Sequence, residues 1–138
     1  MTVPHVPILS PDQLPISLGT HLDGRSKTVV SDLINPHGFV VFRGYGVRSD
    51  QEFHDFIECF GLPNFTYAES FSNAVRRNRT PRVFTANEAP PEIEIFLHHE
   101  MAQTLVFPGQ LFFFCEQAPT VGGATPIGRS DLALVALE

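Results

Sequence analysis

The chain has 138 residues, 43% of them hydrophobic and 17% charged, with nine basic side chains against fifteen acidic ones and a net charge of −6. Length and composition suit one globular domain and exclude a disordered tail, and the acidic balance excludes a surface that coats nucleic acid. No window approaches the roughly 18 apolar residues of a membrane span, and the opening MTVPHVPILSPDQLP has neither the basic nor the apolar region of a secretory signal.

The first segment carries Pro4, Pro7, Pro11 and Pro15 and is expected to form an extended arm over residues 1–25, with the folded unit covering 26–138. From Ser26 to Asn35, Val29, Val30, Leu33 and Ile34 recur at helical intervals, and Pro36 predicts a stop. His37-Gly38 then turns the chain into Phe39-Val40-Val41-Phe42-Arg43, a short run of strand formers closed by Gly44 and Gly46. Ser49 followed by Glu52 is a capping box, and Phe53, Phe56, Ile57 and Phe60 form one apolar stripe of the helix it opens, ending at Gly61 and Pro63.

From Asn64 to Pro91 the periodicity is poor. Arg76, Arg77, Arg79 and Arg82 cluster there and are expected to be solvated, with a strand at Arg82-Val83-Phe84-Thr85 inside a long loop. Glu92-Ile93-Glu94-Ile95-Phe96-Leu97 alternates as a strand does, and Leu111-Phe112-Phe113-Phe114-Cys115 is an apolar run expected between two packed layers. Ser130 is expected to cap a helix from Asp131 to Glu138, in which the sequence looks interrupted. Twelve prolines exclude a long-helix bundle, and thirteen phenylalanines suit a thick apolar core, so the class is α+β, mostly β. Cys59 and Cys115 are too few for a disulfide framework, which points to the reducing cytoplasm; Cys115 is expected to be buried as a small hydrophobe. His5, His21, His37 and His54 read as solvated or uninvolved.

His98-His99-Glu100 is the most reactive cluster. On an extended segment His98 and Glu100, two apart, leave the same side, so an imidazole nitrogen and a carboxylate oxygen form two adjacent corners of a metal site, with His99 pointing away. One further histidine would complete the facial triad of non-haem Fe(II) oxygenases; zinc accepts the same ligands, and two solvated histidines at a strand end is the ordinary alternative.

Around that cluster the motifs fall in a series: His98-His99-Glu100-Met101-Ala102, Pro108, Leu111-Phe112-Phe113-Phe114-Cys115, Pro119, Gly122-Gly123-Ala124-Thr125-Pro126 and Ser130. The series resembles the central block of the taurine dioxygenase (TauD/TfdA) family, within the clavaminate-synthase-like superfamily. Gly38 to Gly44, the helix ending at Phe60-Gly61 and the stretch from Arg82 to Pro91 resemble that family's entry strand, following helix and approach to the metal motif. The resemblance implies a double-stranded β-helix, a distorted jelly roll with flanking helices. It also implies Fe(II), with 2-oxoglutarate and O2 as co-substrates, and hydroxylation of a small organic substrate by ferryl hydrogen abstraction. Carried over, His98 and Glu100 would be iron ligands and Thr125 would hydrogen-bond a carboxylate of 2-oxoglutarate. A carboxylate at position 100 fits hydroxylation better than halogenation, which needs that position vacated.

The family's distal histidine and its 2-oxoglutarate arginine are not matched: no histidine follows His99, and the later arginine, Arg129, stands only four residues after Thr125. The chain is therefore expected to be the N-terminal half of such a jelly roll, with weak or no activity alone. The alternative is a non-catalytic half-domain that self-associates or acts with a second-half partner chain, because half a jelly roll leaves strand edges and a Phe-rich face open. Partners are otherwise expected to be small molecules, neither nucleic acid nor membrane.

Overall fold

A computed structural model describes residues 6–65, 76–86, 88–90 and 92–136. His5, Asn87, Pro91 and the last two positions of the expected C-terminal helix, Leu137 and Glu138, lie outside the described residues.

The fold starts from a β-α-β unit. Strand β1, Ile8–Leu9, lies parallel to β2, Val41–Phe42, with Ile8 opposite Val41 and Leu9 opposite Phe42. Parallel neighbours need a crossover, and helix α1, Gly24–His37, supplies it. The ladder is extended by Val41 N–H donating to the Pro7 carbonyl and Arg43 N–H to the Leu9 carbonyl, each at 2.9 Å. The arm is thus a structural part of the unit: Pro7, Leu9, Leu14 and Leu22 are buried, and the Tyr45 hydroxyl donates to the Leu14 carbonyl at 2.8 Å. Partial burial pushes the Tyr45 phenol above its ordinary range.

Helix α1 begins two residues before the expected Ser26 and runs through Pro36. Asp23 is its N-cap, the carboxylate accepting from Ser26 N–H at 2.7 Å. Proline is tolerated in the last turn because the following Gly38, left-handed at φ 80°, returns its N–H to the Ile34 carbonyl. A side chain at Gly38 would also meet Arg129 Cγ at 3.0 Å, so both backbone and space select glycine there. Hydrogen bonds from Ser26, backbone first, hold the Asp23 carboxyl below its ordinary range. A depressed folded-state value means that the cap stabilises fully above the ordinary carboxylate range and is lost as pH falls through the lowered value. Asp23→Ala should therefore lower the melting temperature at neutral pH and lose that effect in strong acid, read by circular dichroism melts.

Helix α2, Asp50–Glu58, forms as its sequence predicts. Ser49 Oγ accepts from Glu52 N–H at 3.2 Å, while the Glu52 carboxylate reaches back to Arg48 N–H at 2.8 Å, one residue beyond the usual reciprocal bond. Phe56, Ile57 and Phe60 are buried, and Phe42 makes edge contacts with Tyr45, Phe56 and Phe60 at centroid distances of 5.2–5.7 Å. Cys59 is fully buried, its thiol within 3.2 Å of the Asp55 carbonyl and 3.4 Å of the Ser17 carbonyl.

Four expectations change beyond α2. The run Leu111–Cys115 forms neither helix nor ladder among the described residues. It is covered on one face: Phe112 packs on Phe60 at 5.0 Å and Phe114 stacks on Phe53 at 5.2 Å, while Leu111, Phe113 and Cys115 are exposed. Cys115 is therefore not buried, because among the described residues no second layer lies on that face. The stretch from Glu92 to Leu97 likewise carries no ladder, and its Ile93, Ile95, Phe96 and Leu97 are exposed. The strand expected at 82–85 shrinks to one antiparallel bridge, Asn78 to Phe84. Helix α3 spans Ser130–Val135 with Ser130 as its first residue; Arg129 holds the cap position, and its side chain accepts no bond from the helix N–H groups. The Arg129 guanidinium instead donates to the Pro36 carbonyl at the end of α1 and pairs with Asp131. Few helices around a small sheet agree with an α+β class, but the described residues do not close a jelly roll. No helix among the described residues is long and apolar enough to cross a membrane.

Candidate metal centre

The segment after Leu97 has no regular structure at His98 and His99 and enters a turn at Glu100. Met101 is left-handed at φ 57° yet buried, so its side chain anchors the turn in the interior. Such a backbone is costly for a side-chain-bearing residue and is tolerated where packing compensates. Thr104 closes the turn, its N–H donating to the Met101 carbonyl at 3.0 Å and its hydroxyl lying 2.9 Å from the same oxygen.

The two expected ligands do not line the same clefts. Glu100 lines two clefts, one of about 350 Å³ beside α2 and one of about 780 Å³ beside α1 and β2. His98 is exposed and lines neither; the imidazole that shares the larger cleft with Glu100 is that of His99. Thr125 is exposed and lines neither cleft. Nearby, Gly123 is left-handed, and a Cβ there would run into the Pro119 ring, so the Gly-Gly element is fixed by space as well as conformation.

The donor chemistry fits a divalent metal. His98 Nδ1 lies 2.7 Å from the Phe96 carbonyl oxygen. A carbonyl accepts only, so Nδ1 is the donor in this contact, and in the neutral ring Nε2 would be the nitrogen open to a metal. Glu100 adds a carboxylate. Among the described residues no group of three His, Cys, Asp or Glu side chains gathers to hold a metal.

Three arginines and three acids line the smaller cleft; Arg77 and Arg79 are exposed as expected, whereas Arg76 and Arg82 are half-buried. Arg76 Nη2 lies 3.0 Å from Glu100 Oε1, with the two side chains only 20% and 17% exposed. Arg79 Nε donates to Asp50 at 2.7 Å, which pushes its guanidinium further up, and Arg79 Nη2 lies 3.7 Å from Glu116. Arg82 pairs with Glu58 and donates to the Leu62 carbonyl at 2.9 Å. His54 joins this strap through Thr80 at 2.9 Å rather than facing solvent. The segment 76–84 is thereby tied to both ends of α2 and to the metal motif. The three-residue spacing of Arg76, Arg79 and Arg82 hinted at one face, but their acids lie 24 to 37 positions away and could not be paired from the sequence.

A profile of the "Taurine catabolism dioxygenase TauD, TfdA family" matches residues 6–136. The chain belongs to the TauD/TfdA family. It is 43% identical over 119 residues to a clavaminate synthase-like protein of Arabidopsis thaliana, covering 86% of this chain and 36% of that protein. It is 27% identical over 136 residues to the dapdiamide synthesis protein DdaC of Enterobacter agglomerans, covering 98% of this chain and 40% of that one. This TauD/TfdA chain thus spans well under half the length of these curated relatives. No solved structure matches it. The family is a jelly-roll family of dioxygenases that generally use Fe(II) and 2-oxoglutarate, which agrees with the imidazole and carboxylate at positions 98 and 100.

Proposed function

We propose that this chain is the N-terminal part of an Fe(II)/2-oxoglutarate-dependent dioxygenase that hydroxylates a small organic substrate. The observation that carries the reading is a His-x-Glu pair inside a TauD/TfdA match that runs over residues 6–136. His98 and Glu100 would hold the metal, and Thr125 would orient 2-oxoglutarate. With iron bound, the net chemistry consumes 2-oxoglutarate, O2 and a C–H bond and yields succinate, CO2 and the alcohol, one oxygen atom entering succinate and one the product.

The chain's own residues prepare that chemistry. The Phe96 carbonyl engages His98 Nδ1, which would orient the ring and favour Nε2 as the ligating nitrogen of its neutral form. Met101 anchors the turn that carries Glu100 into the cleft wall. Phe112 and Phe114 line both clefts and would exclude water from a bound substrate. A cytoplasmic setting is supported by cysteines that are free, Cys115 in an exposed position.

The test joins this chain to the portion of the Arabidopsis relative that lies beyond the matched region. The fusion should release succinate from 2-oxoglutarate with Fe(II), ascorbate and air, whereas the chain alone should release little. A folded fusion with no iron-dependent turnover contradicts the reading, as does robust turnover by the 138 residues alone.

A second reading, a non-catalytic half-domain acting with a partner chain, is favoured by the apolar surface. Phe96 and Phe113 are each 73% exposed, and Ile95, Leu97, Leu105 and Val106 are exposed with them. Surface of this kind drives association when it is contiguous. Size-exclusion chromatography separates the two: self-association or capture of the relative's remaining segment in trans supports it, and a stable monomer that does not bind that segment contradicts it.

A further inference from the structure

Arg76 is the arginine of the strap whose acid stands at a metal-ligand position. Its fellows brace the fold: Arg79 and Arg82 reach acids on α2, and Arg77, largely exposed, reaches Glu88 at 3.0 Å. Arg76 instead places a guanidinium 3.0 Å from Glu100 Oε1 in the wall of the smaller cleft. Both side chains are about one-fifth exposed, so solvent screens the pair less than an ordinary surface pair.

We propose that Arg76 is a resident counter-cation for Glu100: it holds the carboxylate in the cleft wall until a divalent cation takes its place, and so sets how tightly the chain binds metal. The proposal rests on the reading of Glu100 as a metal ligand. Two effects oppose each other when Arg76 is removed. Glu100 loses an orienting partner, which weakens binding through restored rotamer freedom. A positive charge also leaves the immediate neighbourhood of the ligating carboxylate, which strengthens binding of any cation. The second effect is larger, because it scales with the double charge of the incoming ion while the first involves one side chain. Linkage makes the coupling reciprocal: whatever Arg76 costs the metal, bound metal costs the Arg76–Glu100 pair.

The experiment titrates Mn2+ into the full chain and follows free Mn2+ by electron paramagnetic resonance, for wild type, Arg76→Gln, Arg76→Lys and Glu100→Gln. Arg76→Gln should tighten binding by about tenfold or more, Arg76→Lys should stay near wild type, and Glu100→Gln should abolish binding. If Arg76→Gln binds no more tightly than wild type while Glu100→Gln still abolishes binding, the counter-cation role is overturned and Glu100 stands as a ligand. If Mn2+ binding is the same with and without the Glu100 carboxylate, both ideas fall. Should Arg76→Gln not fold, wild-type protein decides alone. Added Zn2+ should shift the Arg76 guanidinium nitrogen resonances together with those of the Glu100 side chain, and an unchanged Arg76 signal while the Glu100 side-chain resonances shift would overturn the proposal.

Discussion

Phe56→Ala should destabilise the chain by about 3–5 kcal/mol, enough to remove much of the stability of a domain this size. Phe56 is 5% exposed and sits where three elements meet. Its ring lies 5.2 Å from Phe42 on β2, 5.5 Å from Tyr45 beyond it and 5.6 Å from Phe60 after α2. Truncation to a methyl group removes all three contacts together and leaves a cavity that the short β1–β2 ladder cannot close by shifting. Phe53→Ala, on the half-buried side of the same helix, should cost about half as much, since it loses chiefly the stack on Phe114. Urea unfolding followed by circular dichroism reads both. Equal midpoints for the two variants would show that the core is not centred on Phe56.

In the fusion with the relative's remaining segment, His98→Ala and Glu100→Ala should each lower iron-dependent succinate release by at least about 100-fold, and His99→Ala by no more than a few-fold. The contrast matters because the structure gives His99, not His98, a place beside Glu100 in the larger cleft. If the His-x-Glu reading is right, His98 acts as a ligand although it lines neither cleft. A larger loss for His99→Ala than for His98→Ala would transfer the ligand role to position 99.

Local signals were legible in the sequence and non-local ones were not. The Ser49–Glu52 box and the Phe53-Phe56-Ile57-Phe60 stripe specify α2 because capping and amphipathicity are written within one helix. Pro36 misleads about the end of α1, since the bond that proline lacks is offset by the Gly38 return to Ile34. The pairing of Ile8–Leu9 with Val41–Phe42 joins segments 33 positions apart, and nothing in either run announces its partner. The same holds for the arginine strap, where composition suggests a solvated loop and tertiary structure supplies the acids. At the candidate site the residue types were legible, but the left-handed Met101 that follows Glu100 was not, because nothing in the residue type announces that backbone. Leu111–Cys115 reads as a two-sided buried strand, yet among the described residues only its Phe112 and Phe114 side is covered.

The most direct measurement is X-ray absorption at the iron edge of the purified chain loaded anaerobically with Fe(II), compared with His98→Ala and Glu100→Ala. Ligation by this pair predicts outer-shell scattering from one imidazole that disappears in His98→Ala, and a loss of bound iron in Glu100→Ala. Wild-type protein without imidazole scattering, or a spectrum that survives both substitutions unchanged, would contradict the assignment of the metal to His98 and Glu100.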